Sequence, residues 1–326
     1  LQYDAAGAYI FVVGAGPDGR IYGSIMLPLR LFVYDPQNNS LNNLGKASLA
    51  TGEIYSMGML EGKLYLCSYP EARLSIYDPR KPIRFGEKED DNPRDLGPMG
   101  GEQDRPRAMI AGPHGKVYIG SYPDYGQFGG AFSIYDPKKN EKKVYRHIIQ
   151  NQSIASLAYI EKLDLIAAGS SIRGGGGTRA IEKEAKLLLW DPREEKKIFE
   201  MIPVQEAKTI LSLASTTDGV KLYGITNNEK VFVFDAEKRE IKKVFDLGFK
   251  DPISISLQLG PDGRLYGLAS EAIFVIDTKN DQISLLAKSP VPIDSGMAIL
   301  GRKIYYGSGA SLWEFEIPLE ATESME

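Results

Sequence analysis

The octapeptide Gly16-Pro17-Asp18-Gly19-Arg20-Ile21-Tyr22-Gly23 returns almost unchanged as Gly260-Pro261-Asp262-Gly263-Arg264-Leu265-Tyr266-Gly267. A close copy is Gly112-Pro113-His114-Gly115-Lys116-Val117-Tyr118, and shorter ones end at Tyr65, Tyr223 and Tyr305. Proline presets φ for the first turn position, Asp tolerates the second, and Gly supplies the positive φ that follows. An aliphatic residue and Tyr then open a strand. Each copy therefore reads as a hairpin turn leading into a strand.

Aligning the strand after each turn places Tyr22, Tyr65, Tyr118, Ile166, Tyr223, Tyr266 and Tyr305 in register, at spacings of 43, 53, 48, 57, 43 and 39 residues. That is the length of a four-stranded antiparallel unit. A second apolar run follows each time and ends in an acidic turn. Examples are Leu31-Phe32-Val33-Tyr34-Asp35-Pro36, Phe132-Ser133-Ile134-Tyr135-Asp136-Pro137 and Leu187-Leu188-Leu189-Trp190-Asp191-Pro192. The seventh run, Ser311-Leu312-Trp313-Glu314-Phe315, lacks the Asp. A polar fourth strand comes next, as in Glu240-Ile241-Lys242-Lys243-Val244-Phe245.

Seven such units predict an all-β chain, a seven-bladed β-propeller of four-stranded antiparallel blades forming one domain over residues 1–326. The aromatic-Asp ending resembles that of WD-repeat blades. The Gly-Pro-Asp-Gly turns resemble those of NHL and gluconolactonase-like propellers. Both resemblances span the chain and concern its turns, so they imply a fold and leave the activity open. The last unit stops after three strands. Residues 1–3 are therefore expected to supply its fourth, closing the ring, and residues 318–326 to form a flexible acidic tail.

The formal charge of −4 argues against a nucleic-acid partner, which needs a basic face. No apolar run of about 18 residues is present, so no membrane partner is expected. A lone cysteine, Cys67, excludes an internal disulfide, and two histidines exclude a multi-His metal site. The chain begins at Leu1 rather than Met, so residues upstream are expected to have been removed, either by signal cleavage or by the choice of the segment expressed; an extracellular or periplasmic location is the expectation.

Insertions in a regular array mark the face that carries function. In a four-stranded blade the loop from strand two to strand three and the loop to the next blade open on one face; the repeat turns lie on the other. The long connections, residues 121–131, 170–186 and 85–107, are expected to gather on the first of these faces, over blades one to four. Tyr69-Pro70 and Tyr122-Pro123 occupy matching places there, with Tyr125 close behind. Arg105, Arg107, Arg173, Arg179 and Lys186 bring positive charge, and Glu53, Asp104 and Glu184 bring carboxylates. Tyrosines among arginines that grip carboxylates bidentately suit an acidic oligo- or polysaccharide.

Gly174-Gly175-Gly176-Gly177 is no phosphate loop, because no strand–loop–helix unit surrounds it. These glycines instead allow a tight fold-back or a close backbone approach. Residues 180–186 are expected to form one helical turn. His114 replaces the turn Asp and belongs to the repeat face. His147, near the end of an outer strand, is the one imidazole directed toward the inserted loops.

The loop composition resembles that of propeller-type polysaccharide lyases, which implies β-elimination beside a uronate. In that reading Arg107 or Arg173 clamps the carboxylate and Tyr122 or His147 moves the proton. Tyr69 and Tyr125 wall the subsites, while Arg105, Arg179, Lys186, Glu53 and Glu184 complete substrate binding. A non-catalytic propeller that binds protein or glycan is the alternative. A lactonase-like hydrolase with a channel metal is the third; Glu53 fits it, but the comparable positions hold Arg107, Ser153, Ser212 and Ser254. No metal-ligand motif is drawn. A calcium ion held by backbone carbonyls and scattered carboxylates would leave no spacing signature, so calcium stays open as a cofactor.

Overall fold

The computed structural model describes residues 7–319. Seven antiparallel sheets follow one another along the chain, and in each the strands lie in sequence order. The first six have four strands, and the seventh has three among the described residues. The innermost strands are Ile10–Ala15, Ile54–Leu60, Gln103–Ala111, Ser153–Ile160, Ile210–Ser215, Pro252–Leu259 and Ser295–Leu300. They surround one central channel. The chain is a seven-bladed β-propeller.

The recurring Tyr has a structural reason. Tyr22 donates its hydroxyl to the Asp18 carboxylate at 2.8 Å, and Tyr266 donates to Asp262 at 2.6 Å. Each ring is buried, so the turn four residues upstream supplies the partner that a buried phenol requires. Gly19 and Gly263 occupy the positive-φ place of these turns, at 74° and 79°. One motif therefore closes a hairpin and satisfies a core hydroxyl.

The core is divided rather than central. Each pair of neighbouring blades encloses its own buried apolar cluster, the last joining Ala298 and Tyr305 of blade seven to Ile10, Val13, Ile21 and Phe32 of blade one. Ring closure between those two blades also uses hydrogen bonds. The Ile10 N–H donates to the Gly309 carbonyl at 2.8 Å, and the Ser295 hydroxyl to the Ile10 carbonyl at 3.0 Å. The expected fourth strand from residues 1–3 lies outside the described residues, as do residues 320–326 of the tail.

Two local expectations change. The extra chain around residue 85 was expected in the connection between blades two and three. It belongs instead to the turn between the third and fourth strands of blade two, Arg73–Tyr77 and Arg94–Pro98, and so lies on the repeat-turn face. Asn92 holds it there: its amide accepts from the Asp78 N–H at 2.7 Å and donates to the Asp78 and Lys81 carbonyls. Residues 180–186 form no helical turn. The buried Ala185 donates its N–H to the Ala207 carbonyl at 2.7 Å, and Gln152 caps the Glu184 carbonyl, which pulls the segment out along blade five.

Candidate functional site

On the face opposite the repeat turns the central channel opens as a cavity of about 730 Å³. A second depression of about 610 Å³ adjoins it over blades three to six. Both are lined by Arg107, Leu211, Asn227 and Ser254, so they form one continuous cleft at the channel mouth.

Blade three builds one wall. Arg105 and Arg107 stand two residues apart on the inner strand, where its pairing with the next strand shifts register. Tyr122 pairs opposite Arg105 on the next strand, Val117–Pro123. The Arg107 guanidinium lies 4.8 Å from the Tyr55 ring centre and 5.7 Å from that of Tyr122. Arg105 lies 4.8 Å from the Tyr69 ring centre and 5.0 Å from that of Tyr125. Tyr55 and Tyr69 are themselves neighbours at 6.1 Å, and Phe11 of blade one packs on Tyr55 at 4.6 Å. Two guanidinium groups are thus set into a continuous aromatic wall.

The electrostatics follow from these contacts. Arg105 donates to the Tyr125 hydroxyl at 2.7 Å, and the Tyr69 hydroxyl meets the same oxygen at 3.3 Å. Donation from Tyr69 and then from Arg105 holds the Tyr125 phenol below its ordinary range, while Tyr69 is pushed up to about 12 by its bond to Tyr125 and by burial. Burial raises the Glu53 carboxyl, opposed by a hydrogen bond from Tyr55 and by the charges of Arg105 and Arg107. Asp104 is raised by burial too; it accepts the Glu71 N–H at 3.3 Å and Arg105 at 3.2 Å.

The opposite wall comes from blade four. Arg173 and the four glycines after it line the cleft, and the glycine run packs against the blade-three loop. The Gly126 N–H donates to the Gly176 carbonyl and the Gly175 N–H to the Gln127 carbonyl, both at 2.9 Å. A side chain at Gly175 would overlap the Asp124 carbonyl, so the run lets two backbones meet.

The structure therefore brings Glu53, Tyr69, Arg105, Arg107, Tyr122 and Tyr125 into one cluster, with Arg173 facing Arg107 and Tyr122 across the cleft. The other candidates lie elsewhere. His147 is exposed, with its ring against Gly129, and lines neither depression. Lys186 is paired with Glu200 at 2.6 Å, Glu184 accepts the Glu206 N–H at 2.7 Å, and Arg179 is exposed on the blade-four loop. Tyr55, Lys208 and Asn227 are site residues that the sequence reading did not single out. Tyr55 stands near the start of an inner strand, two residues after Glu53, and Lys208 lies in an inter-blade connection, so position on this face carried the signal.

Among the described residues no three His, Cys, Asp or Glu side chains gather as a metal cage. No family model and no curated protein matches the chain. The fold and this cleft define the class: a seven-bladed β-propeller with an arginine–tyrosine wall at its channel mouth.

Proposed function

We propose that the propeller is carbohydrate-active, binding a uronate-containing glycan across the channel mouth and cleaving it by β-elimination. The observation that carries this reading is Arg107, whose guanidinium is stacked between Tyr55 and Tyr122 at the point where both depressions meet. Aromatic faces suit sugar rings, and a fixed planar fork suits a carboxylate. A carboxylate seated on Arg107 makes the adjacent C5–H more acidic, because the developing enolate charge falls on the bound oxygens. Deprotonated Tyr122 takes the C5 proton. The C4–O bond breaks, its electrons leave with the oxygen, and the C5–H electrons form the C4–C5 double bond. The same phenol then protonates the departing oxygen. Tyr69 and Tyr125 extend the wall as subsites.

A non-catalytic glycan-binding propeller is the second reading. It is favoured by the mutual satisfaction of Arg105, Tyr69 and Tyr125, which presents a rigid recognition surface. Incubation with a panel of uronate polysaccharides separates the two. Growth of the ultraviolet absorbance of an unsaturated product, abolished in Tyr122→Phe with binding retained, supports the lyase. Binding with no product in any condition, calcium included, overturns it in favour of the binding module.

A further inference from the structure

We propose that the ligand of this cleft carries a second anionic group, held between Arg173 and Lys208, besides the carboxylate on Arg107; this rests on the acidic-glycan reading above. Three cations, Arg107, Arg173 and Lys208, line the 610 Å³ depression, and among the described residues no Asp or Glu lines it. None of the three forms an ion pair with a carboxylate among the described residues. Comparable cations elsewhere do: Lys186 with Glu200, Lys143 with Glu195, Arg73 with Asp95.

In a chain of net charge −4, carboxylates are available, yet none lines this depression: Arg107 has the Glu53 charge nearby, whereas Arg173 and Lys208, both exposed, have no ion-pair partner among the described residues. A ligand with one carboxylate offsets one of the three cations. The remaining pair is built rather than incidental. Lys208 donates from Nζ to the Lys183 carbonyl at 2.6 Å, an anchor that leaves its charge uncancelled. Its backbone is clamped too, since the Lys208 and Thr209 N–H groups both donate to Asn227 Oδ1, at 2.7 and 2.8 Å. Asn227 lines both depressions, so it positions this cation at their junction. Arg173 stands on the blade-four side, where the Ser153 hydroxyl holds its carbonyl at 2.6 Å.

The second anion has two possible sources, a sulfate ester on the sugar or a second uronate along the chain, and one set of titrations distinguishes them. Calorimetry would compare wild type with the Arg173→Ala/Lys208→Ala variant on a single uronate sugar, an unsulfated oligo-uronate and a sulfated uronate oligosaccharide. Wild type should prefer a dianionic ligand over the single uronate by about tenfold or more, the worth of one added charge-assisted contact. In the double variant that ratio should fall toward one. Preference for the sulfated sugar identifies sulfate; preference for the unsulfated oligomer identifies a second uronate. A wild-type ratio near one, or a ratio unchanged in the variant, overturns the inference while leaving the acidic-glycan reading standing. Absence of any uronate binding by wild type overturns both. Melting curves of the variant check its folding; the charges removed have no carboxylate partner and only the Lys208–Lys183 hydrogen bond is lost, so at most a small fall is expected.

Discussion

Arg107 of blade three holds its guanidinium 4.8 Å from the centre of the Tyr55 ring of blade two. The contact joins two sheets at the rim of the channel and fixes the plane of a cation that would otherwise sample many rotamers. Attraction to the ring face contributes about 0.5–2 kcal/mol. Its consequence for function is larger than its energy, because a pre-oriented fork loses less entropy when it grips a carboxylate.

Arg107→Ala should weaken binding of an acidic oligosaccharide by about 2–4 kcal/mol, and Arg107→Lys by less, because Lys keeps the charge and loses the fork. Isothermal titration measures both. Equal affinities for wild type, Lys and Ala variants would remove Arg107 from the site.

The two kinds of glycine in the blade-four loop should respond differently. Gly175→Ala forces a methyl group into the Asp124 carbonyl and separates the two loops, so a loss of about 1–3 kcal/mol in thermal stability is expected. Gly177 has φ 83° with open space around it, so Gly177→Ala carries only backbone strain of about 1 kcal/mol. If Gly175→Ala melts like wild type, the loops are not packed as described.

Glu195, on the repeat-turn side of blade four, predicts a pH dependence. Lys143 at 2.8 Å, then Tyr145 at 2.7 Å and Lys116 at 3.2 Å, hold its carboxyl down at about 2. A depressed carboxyl stabilises the fold above its ordinary pKa, and that contribution fades as pH falls through the ordinary value toward the depressed one. Melting temperatures of wild type and Glu195→Gln should thus differ at neutral pH and converge between about pH 4.5 and 2. A constant gap over that interval would show that Glu195 acts by packing alone.

Gly19→Val and Gly263→Val place a β-branched residue at positive φ and should each cost roughly 1–3 kcal/mol. These turns lie across the ring from the cleft. Glycan binding per folded molecule should therefore be unchanged, and its loss without loss of stability would mean the cleft lies on the other face.

The seven blades were legible because turn chemistry is local. Gly-Pro-Asp-Gly demands particular φ values within four residues, and the Tyr that follows needs the Asp beside it, so each copy announces a hairpin wherever it falls. Arg105, Arg107 and Tyr122 were legible as candidates because they fall in or beside long connections that the face rule gathers at one end of the blades. Residues 79–93 resisted because Arg94–Pro98, with its Asp, Gly and Pro, carries no apolar alternation to mark the fourth strand of blade two.

What tertiary structure alone decided is which blades meet. Tyr55 reaches Arg107 only because blade two leans its inner strand against blade three. Lys208 joins the cleft only because the connection into blade five passes the mouth of blade four. The glycine run approaches residues 124–127 only because two loops cross between sheets. Strand alternation names the side of a sheet on which a residue stands, but the distance between side chains on separate sheets depends on sheet twist and on the volume of every cluster packed between them. No local pattern encodes that sum.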